Sequence, residues 1–179
     1  MNGHAVKLDL DPDTSSQPDM PSRTGPTTAA ITTATTGRFV VTSVGLDVPL
    51  DTMRETDGTI VPPGFTVAYC ITNRGVGLDH AADGTVYVAI HSLRNGGVAP
   101  GNYLFDQADG TAKINPGDAI GIAGAVYTVD DVTLIPKPDL PGTADLWVDI
   151  PGRLVVITCL QKPDDAPSED NFVIVAHLT

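Results

Sequence analysis

The chain has two cysteines, Cys70 and Cys159, among 179 residues. They stand alone, with no CxxC pair, so neither a disulfide framework nor a zinc site is implied. Basic residues are few: 10 Lys and Arg face 22 Asp and Glu, a net charge of −12. That balance argues against nucleic acid and an anionic membrane surface as partners. Long apolar runs are missing too. No stretch approaches the ~18 to 20 residues a membrane-spanning helix needs. The residues from Met1 to Asp9 lack a basic region followed by an apolar core, so no signal peptide is expected. The acidic turns Asp57-Gly58, Asp83-Gly84 and Asp109-Gly110 lack the alternating ligands and terminal Glu of a calcium loop. Turn chemistry accounts for them, and no cofactor or metal is expected.

What is present divides the chain in two. Residues 1–37 are rich in Thr, Ser, Pro, Asp and Ala, and Thr27 to Thr36 is low-complexity. Such a segment buries too little surface to fold alone. It is expected to be an N-terminal arm that runs extended over a neighbouring subunit, adding a strand around Ile31. Residues 38–179 form the body, and their hydrophobic content is ordinary for one globular domain. Apolar, β-branched runs recur between Gly, Pro and Asp turns. They cover Phe39 to Val44, Leu46 to Leu50, Thr66 to Ile71, Thr85 to Ile90 and Asp118 to Ala123. Ala125 to Ile135, Leu146 to Ile150, Arg153 to Thr158 and Asn171 to Leu178 complete the series. No amphipathic helix competes with them. The fold class is all-β, a barrel or a sandwich.

The strand from Arg153 to Thr158 leads directly into Cys159, and Lys162-Pro163-Asp164-Asp165 turns the chain after it. A thiol at that edge sits where a rigid strand positions a nucleophile and a loop admits substrate. The competing reading is an inert, buried core cysteine. His91 ends another apolar strand, at Val88-Ala89-Ile90-His91. If the two strands are neighbours and point the same way, thiol and imidazole share one edge of the sheet. A cysteine nucleophile needs such a partner to manage protons on the leaving group.

These residues and their order resemble the sortases, the cysteine transpeptidases that attach proteins to bacterial cell walls. The likeness is greatest to the short actinobacterial kinds and covers about residues 38–178. Leu154-Val155-Val156-Ile157-Thr158-Cys159 resembles the strand before the family's nucleophile. Val88-Ala89-Ile90-His91 resembles the strand ending in its Gly-His, with Ile90 in the glycine's place. Cys70 stands where an aromatic residue is usual and reads as core. Asn115-Pro116-Gly117-Asp118 resembles the family's Pro-Gly-Asp turn. The resemblance implies a closed eight-stranded β-barrel, with Cys159 as nucleophile and His91 as acid/base. It also implies an arginine just before the last strand. In Ser168-Glu169-Asp170-Asn171, Asp170 and Asn171 match and Glu169 stands in the arginine's position. Lys162 and Arg94 are candidate substitutes.

Two functions are open. With Glu169 in that place, the barrel is expected to be catalytically impaired. It would then serve as a structural or binding component of a multi-subunit assembly, such as a bacteriophage virion or tail, with the arm contacting other subunits. The alternative is a working transpeptidase or hydrolase that takes a sorting-motif peptide in a groove near Cys159 and forms a thioacyl intermediate.

Overall fold

The computed structural model describes Lys7, Leu8 and residues 37–179. The strands are β1 (Lys7–Leu8), β2 (Gly37–Val41), β3 (Leu46–Met53), β4 (Thr59–Ile60) and β5 (Ala68–Gly75). They continue as β6 (Thr85–Ala89), β7 (Ala119–Ile122), β8 (Ala125–Pro136), β9 (Arg153–Cys159) and β10 (Asp170–Leu178). Eight of them close a barrel in the order β10-β8-β7-β2-β3-β5-β6-β9, with β10 paired to β9 to complete the circle. Pairs β3–β5 and β6–β9 are parallel, and the remaining barrel pairs are antiparallel. Among the described residues, no helix is long and apolar enough to cross a membrane.

Alternation along the strands builds two apolar layers. Val86, Val88 and Ile90 of one strand and Leu154 and Val156 of another point into the barrel, with Phe39, Phe105, Tyr127 and Phe172. Tyr87, Ala89, Val155, Ile157, Cys159 and Val173 point outward, beneath Leu140 and Leu146. All seven residues of β9 are therefore buried. This is why its sequence reads as a continuous apolar run rather than an alternating one. Cys70 lies in the inner layer, 1% exposed, as a core residue.

The β7–β8 hairpin turns through Ala123 and Gly124, at φ 49° and 92°. Two successive positive φ values make the tight turn whose twist suits a hairpin. The Asn115 to Asp118 turn is closed by the Asn115 amide donating to Asp118 Oδ2 at 2.8 Å.

Leu146 to Ile150 is not a strand. Ala144–Trp147 forms one short helix, α1, and Val148 and Ile150 are exposed. Its carbonyls are claimed by a side chain instead of a ladder. The Arg153 guanidinium donates to Asp145 O at 2.9 Å, to Leu146 O at 3.0 Å and to Val148 O. Trp147 Nε1 donates to Leu140 O at 2.9 Å, which folds the segment onto the outer layer.

Of the N-terminal segment, Lys7–Leu8 pairs in parallel with Thr59–Ile60 of the same chain. The added strand expected around Ile31 lies outside the described residues.

Candidate functional site

The site is built where β6 and β9 run side by side. Their parallel register pairs Ala89 with Ile157, two residues before His91 and Cys159 respectively. The pairing continues past the end of β6: Ile90 N donates to Ile157 O at 3.1 Å. Ser92 Oγ then donates to Cys159 O. By the two-residue period, His91 follows Tyr87 and Ala89 on the outer face, and Cys159 follows Val155 and Ile157 on that same face. Neighbouring strands lie about 4.8 Å apart, so the ends of β6 and β9 lie side by side.

Both groups are held in dry surroundings. Cys159 is fully buried and His91 is 3% exposed. His91 Nε2 lies 3.0 Å from Pro62 O. A carbonyl only accepts, so Nε2–H is the donor, and this contact fixes a proton on that nitrogen. The Phe65 ring packs on the imidazole with centroids 4.5 Å apart. Both partners come from the connection between β4 and β5. From behind, Gly101 N donates to His91 O at 2.7 Å. A Cβ at Gly101 would meet Thr158 Oγ1 at 2.3 Å and His91 O at 2.8 Å, so only glycine fits there.

The third strand at the site is β10. Its register sets Asn171 directly opposite Cys159. The bracketing bond runs from Leu160 N to Asp170 O at 2.9 Å, which makes Asn171 and Cys159 a non-hydrogen-bonded pair. In such pairs the Cα atoms approach to about 4.5 Å and the side chains are closest. Asn171 is fully buried. Val173, two residues on, belongs to the outer layer with Cys159, so Asn171 shares that face. Cys159 and Asn171 thus share one face of adjacent strands, and β6, which leads into His91, flanks β9 on the other side.

Glu169 does not occupy a place beside Cys159. Its side chain is 81% exposed and faces Lys162, with Nζ–Oε2 at 3.7 Å. It precedes β10, two residues before the position that faces the thiol, so strand alternation and pairing act on Asn171 instead. Lys162 is occupied at that surface pair. Arg94 Nη1 donates to Asp165 O at 3.2 Å, in the connection between β9 and β10. Sequence reading singled out Cys159 and His91 as candidates from their places at strand ends; Cys159 ends β9, and His91 lies two residues past the end of β6. It noted Asn171 without its orientation, because register between strands is not written in either strand alone. Pro62, Phe65 and Gly101 were missed; a Pro-Pro-Gly run and an isolated glycine were the only signals. Among the described residues, no group of three or more His, Cys, Asp and Glu is placed to hold a metal ion.

No protein-family model and no curated protein sequence matches the chain. Solved structures do match in shape. Sortase A of Listeria monocytogenes superposes with a TM-score of 0.57 at 20% identity, covering 82% of this chain and 88% of that one. A lid mutant of sortase A from Corynebacterium diphtheriae gives 0.55 at 14% identity, over 79% and 68% of the two chains. The pilus-related sortase C of Group B Streptococcus gives 0.52 at 15%, over 80% and 66%. With its eight strands closed in this order, the chain has the sortase fold.

Proposed function

We propose that the protein is a cysteine acyltransferase acting on a peptide, with Cys159 as nucleophile and His91 as its acid/base partner. The observation that carries this reading is that the adjacent parallel strands β6 and β9 are in register at Ala89 and Ile157, two residues before His91 and Cys159. In the proposed reaction, His91 takes the thiol proton and Cys159 sulfur attacks a peptide carbonyl carbon. The C–S bond forms as the carbonyl π pair moves to oxygen. Collapse of that intermediate breaks the C–N bond, and the leaving amine takes the proton from His91. An incoming amine, or water, then attacks the thioester carbonyl while His91 takes its proton, the C–S bond breaks to release the thiolate, and His91 returns the proton to sulfur. Residues 38–179 are the acting domain in this proposal, and a peptide is the partner.

The test is labelling with a mixture of short peptides ending in a chloromethyl ketone, read by intact mass and peptide mapping. One adduct at Cys159 is expected, absent in Cys159→Ala and slowed about 10²-fold or more in His91→Ala. Labelling that ignores His91, or falls only on other residues, would contradict the reading.

A second reading is favoured by one observation: no guanidinium, but an amide, stands opposite Cys159. On that reading the fold is a catalytically impaired subunit of a larger assembly, such as a virion, with segment 1–37 reaching other subunits. It requires that removing the segment abolish incorporation while leaving the barrel's unfolding transition unchanged.

A further inference from the structure

Asn171 carries a second anomaly besides its position. Its side chain is fully buried, and among the described residues neither Nδ2 nor Oδ1 has a hydrogen-bond partner. A buried amide without partners is costly, and native proteins keep few of them. The usual escape is replacement by an apolar residue of the same shape, and the neighbours make that easy: Phe172, Val173 and Ile174 are all apolar and buried. An amide retained here points to a ligand that completes its hydrogen bonds.

The geometry indicates which ligand. Asn171 is the direct cross-strand partner of Cys159, in the close, non-hydrogen-bonded kind of pair. Its side chain therefore rises from the same face of the sheet, beside that of the cysteine. Its own strand holds it rigidly, with Leu160 N to Asp170 O on one side and the β8 pairing of Asn171 with Ile135 on the other. On the opposite side of the thiol stands His91, so proton transfer and oxygen binding fall on opposite flanks of the nucleophile. Building on the acyl transfer proposed above, we infer that Asn171 is a further catalytic residue, whose Nδ2–H donates to the carbonyl oxygen as it becomes an oxyanion on attack by Cys159. In the resting protein the amide waits unpaired. When the C–S bond forms and the π pair moves to oxygen, the donor is already in place and nothing need reorganise. The donor is neutral and preorganised by a strand, unlike a long cationic side chain brought from a loop.

The test compares two reactions of the same thiol. With p-nitrophenyl acetate, Cys159 attacks a carbonyl, an oxyanion forms, and p-nitrophenolate leaves with the bonding pair. With iodoacetamide, sulfur displaces iodide at a saturated carbon and no oxyanion arises. Asn171→Leu keeps the shape and removes both polar ends; Asn171→Ala is the second variant should Leu fail to fold. Acylation dependent on Cys159, measured as the difference from Cys159→Ala, is expected to fall about 10²-fold in either variant while alkylation is little changed. Acylation that stays near the parent rate in a folded variant overturns the role of Asn171 and leaves the acyl transfer reading standing. Equal losses in both reactions also overturn it, because Asn171 would then only position the thiol. Nitrophenolate release that is the same in the parent and Cys159→Ala overturns this inference and the acyl transfer reading together.

Discussion

At the scale of single residues, the site depends on what is packed behind it as much as on the row that faces outward. Gly101 leaves room for Thr158 and for the His91 carbonyl. Gly101→Ala is expected to destabilise the fold by ~1–3 kcal/mol, since the added methyl meets backbone and a branched side chain, neither of which can swing away. Denaturant unfolding measures the loss, and iodoacetamide alkylation of Cys159 should change with it. Thr158 makes the opposite case. Its Oγ1 is buried in the barrel without a hydrogen bond. Thr158→Val keeps the shape and removes the orphaned hydroxyl, so stability should rise by about 1 kcal/mol with acylation of Cys159 unchanged. A fall in stability would show that the hydroxyl is satisfied in solution. The thiol and the imidazole were legible from sequence because each ends an apolar run at a turn. Asn171 was not, because which residue faces Cys159 depends on how β10 registers against β9. A shift of two residues separates the exposed Glu169 from the buried Asn171.

At the scale of elements, the segment from Leu140 to Ile150 shows where composition misleads. Leu146, Trp147, Val148 and Ile150 have the look of a strand. The Leu146 and Val148 carbonyls are taken by the buried Arg153 guanidinium, which also donates to Thr85 Oγ1 at 3.1 Å, and Ile150 N donates to that same hydroxyl at 2.8 Å. The preference of individual side chains for strands lost to one guanidinium with several carbonyls in reach. Arg153→Lys keeps the charge but loses the planar fork, leaving carbonyls unpaired. It should cost at least ~2 kcal/mol, taking hydrogen bonds to a charged group at 1.5–3 kcal/mol each and allowing for one bond kept. Trp147 is the only tryptophan of the chain. It stacks on Tyr87 at 5.5 Å, with the Arg74 guanidinium 4.6 Å from its ring centre. Its fluorescence should shift to the red in Arg153→Lys as the segment loosens. An unshifted spectrum with unchanged stability would mean that packing alone holds the segment. The remaining barrel strands were read to within a few residues, because apolar runs between turn residues carry their own boundaries. Lys7–Leu8 and Thr59–Ile60 were missed, since two residues give no periodicity to read.

At the scale of the whole molecule, closing the sheet places Cys70 and Tyr127 in a dry interior. Burial, with Asp79 adding to it, pushes the Cys70 thiol up from an ordinary value of 9.0 to about 11. Tyr127 is raised as well, first by burial and then by Cys70. Above pH 9 the unfolded chain gives up the Cys70 proton before the folded one does, so stability is full below that pH. It falls as pH rises through about 11. The loss from Cys70 should approach ~3 kcal/mol, at ~1.4 kcal/mol per pH unit. Denaturant midpoints between pH 8 and 11 should show it, and Cys70→Val should remove the part that begins near pH 9. An identical alkaline loss in that variant would assign it to the tyrosines. An all-β body was legible in the sequence, and the closed barrel was implied by resemblance. Which strands lie side by side was not, because β6 and β9 are far apart in the chain and meet only when the barrel closes. That meeting brings the ends of β6 and β9 together, and a pairing of Cys159 with His91 there is the claim on which the proposed chemistry stands. The most direct test is the pH dependence of Cys159 alkylation by iodoacetamide, followed by mass, in the parent and in His91→Gln. If the two groups are coupled, the parent profile and that of His91→Gln differ in shape. Superimposable profiles would show that the thiol does not sense His91 and would contradict the account.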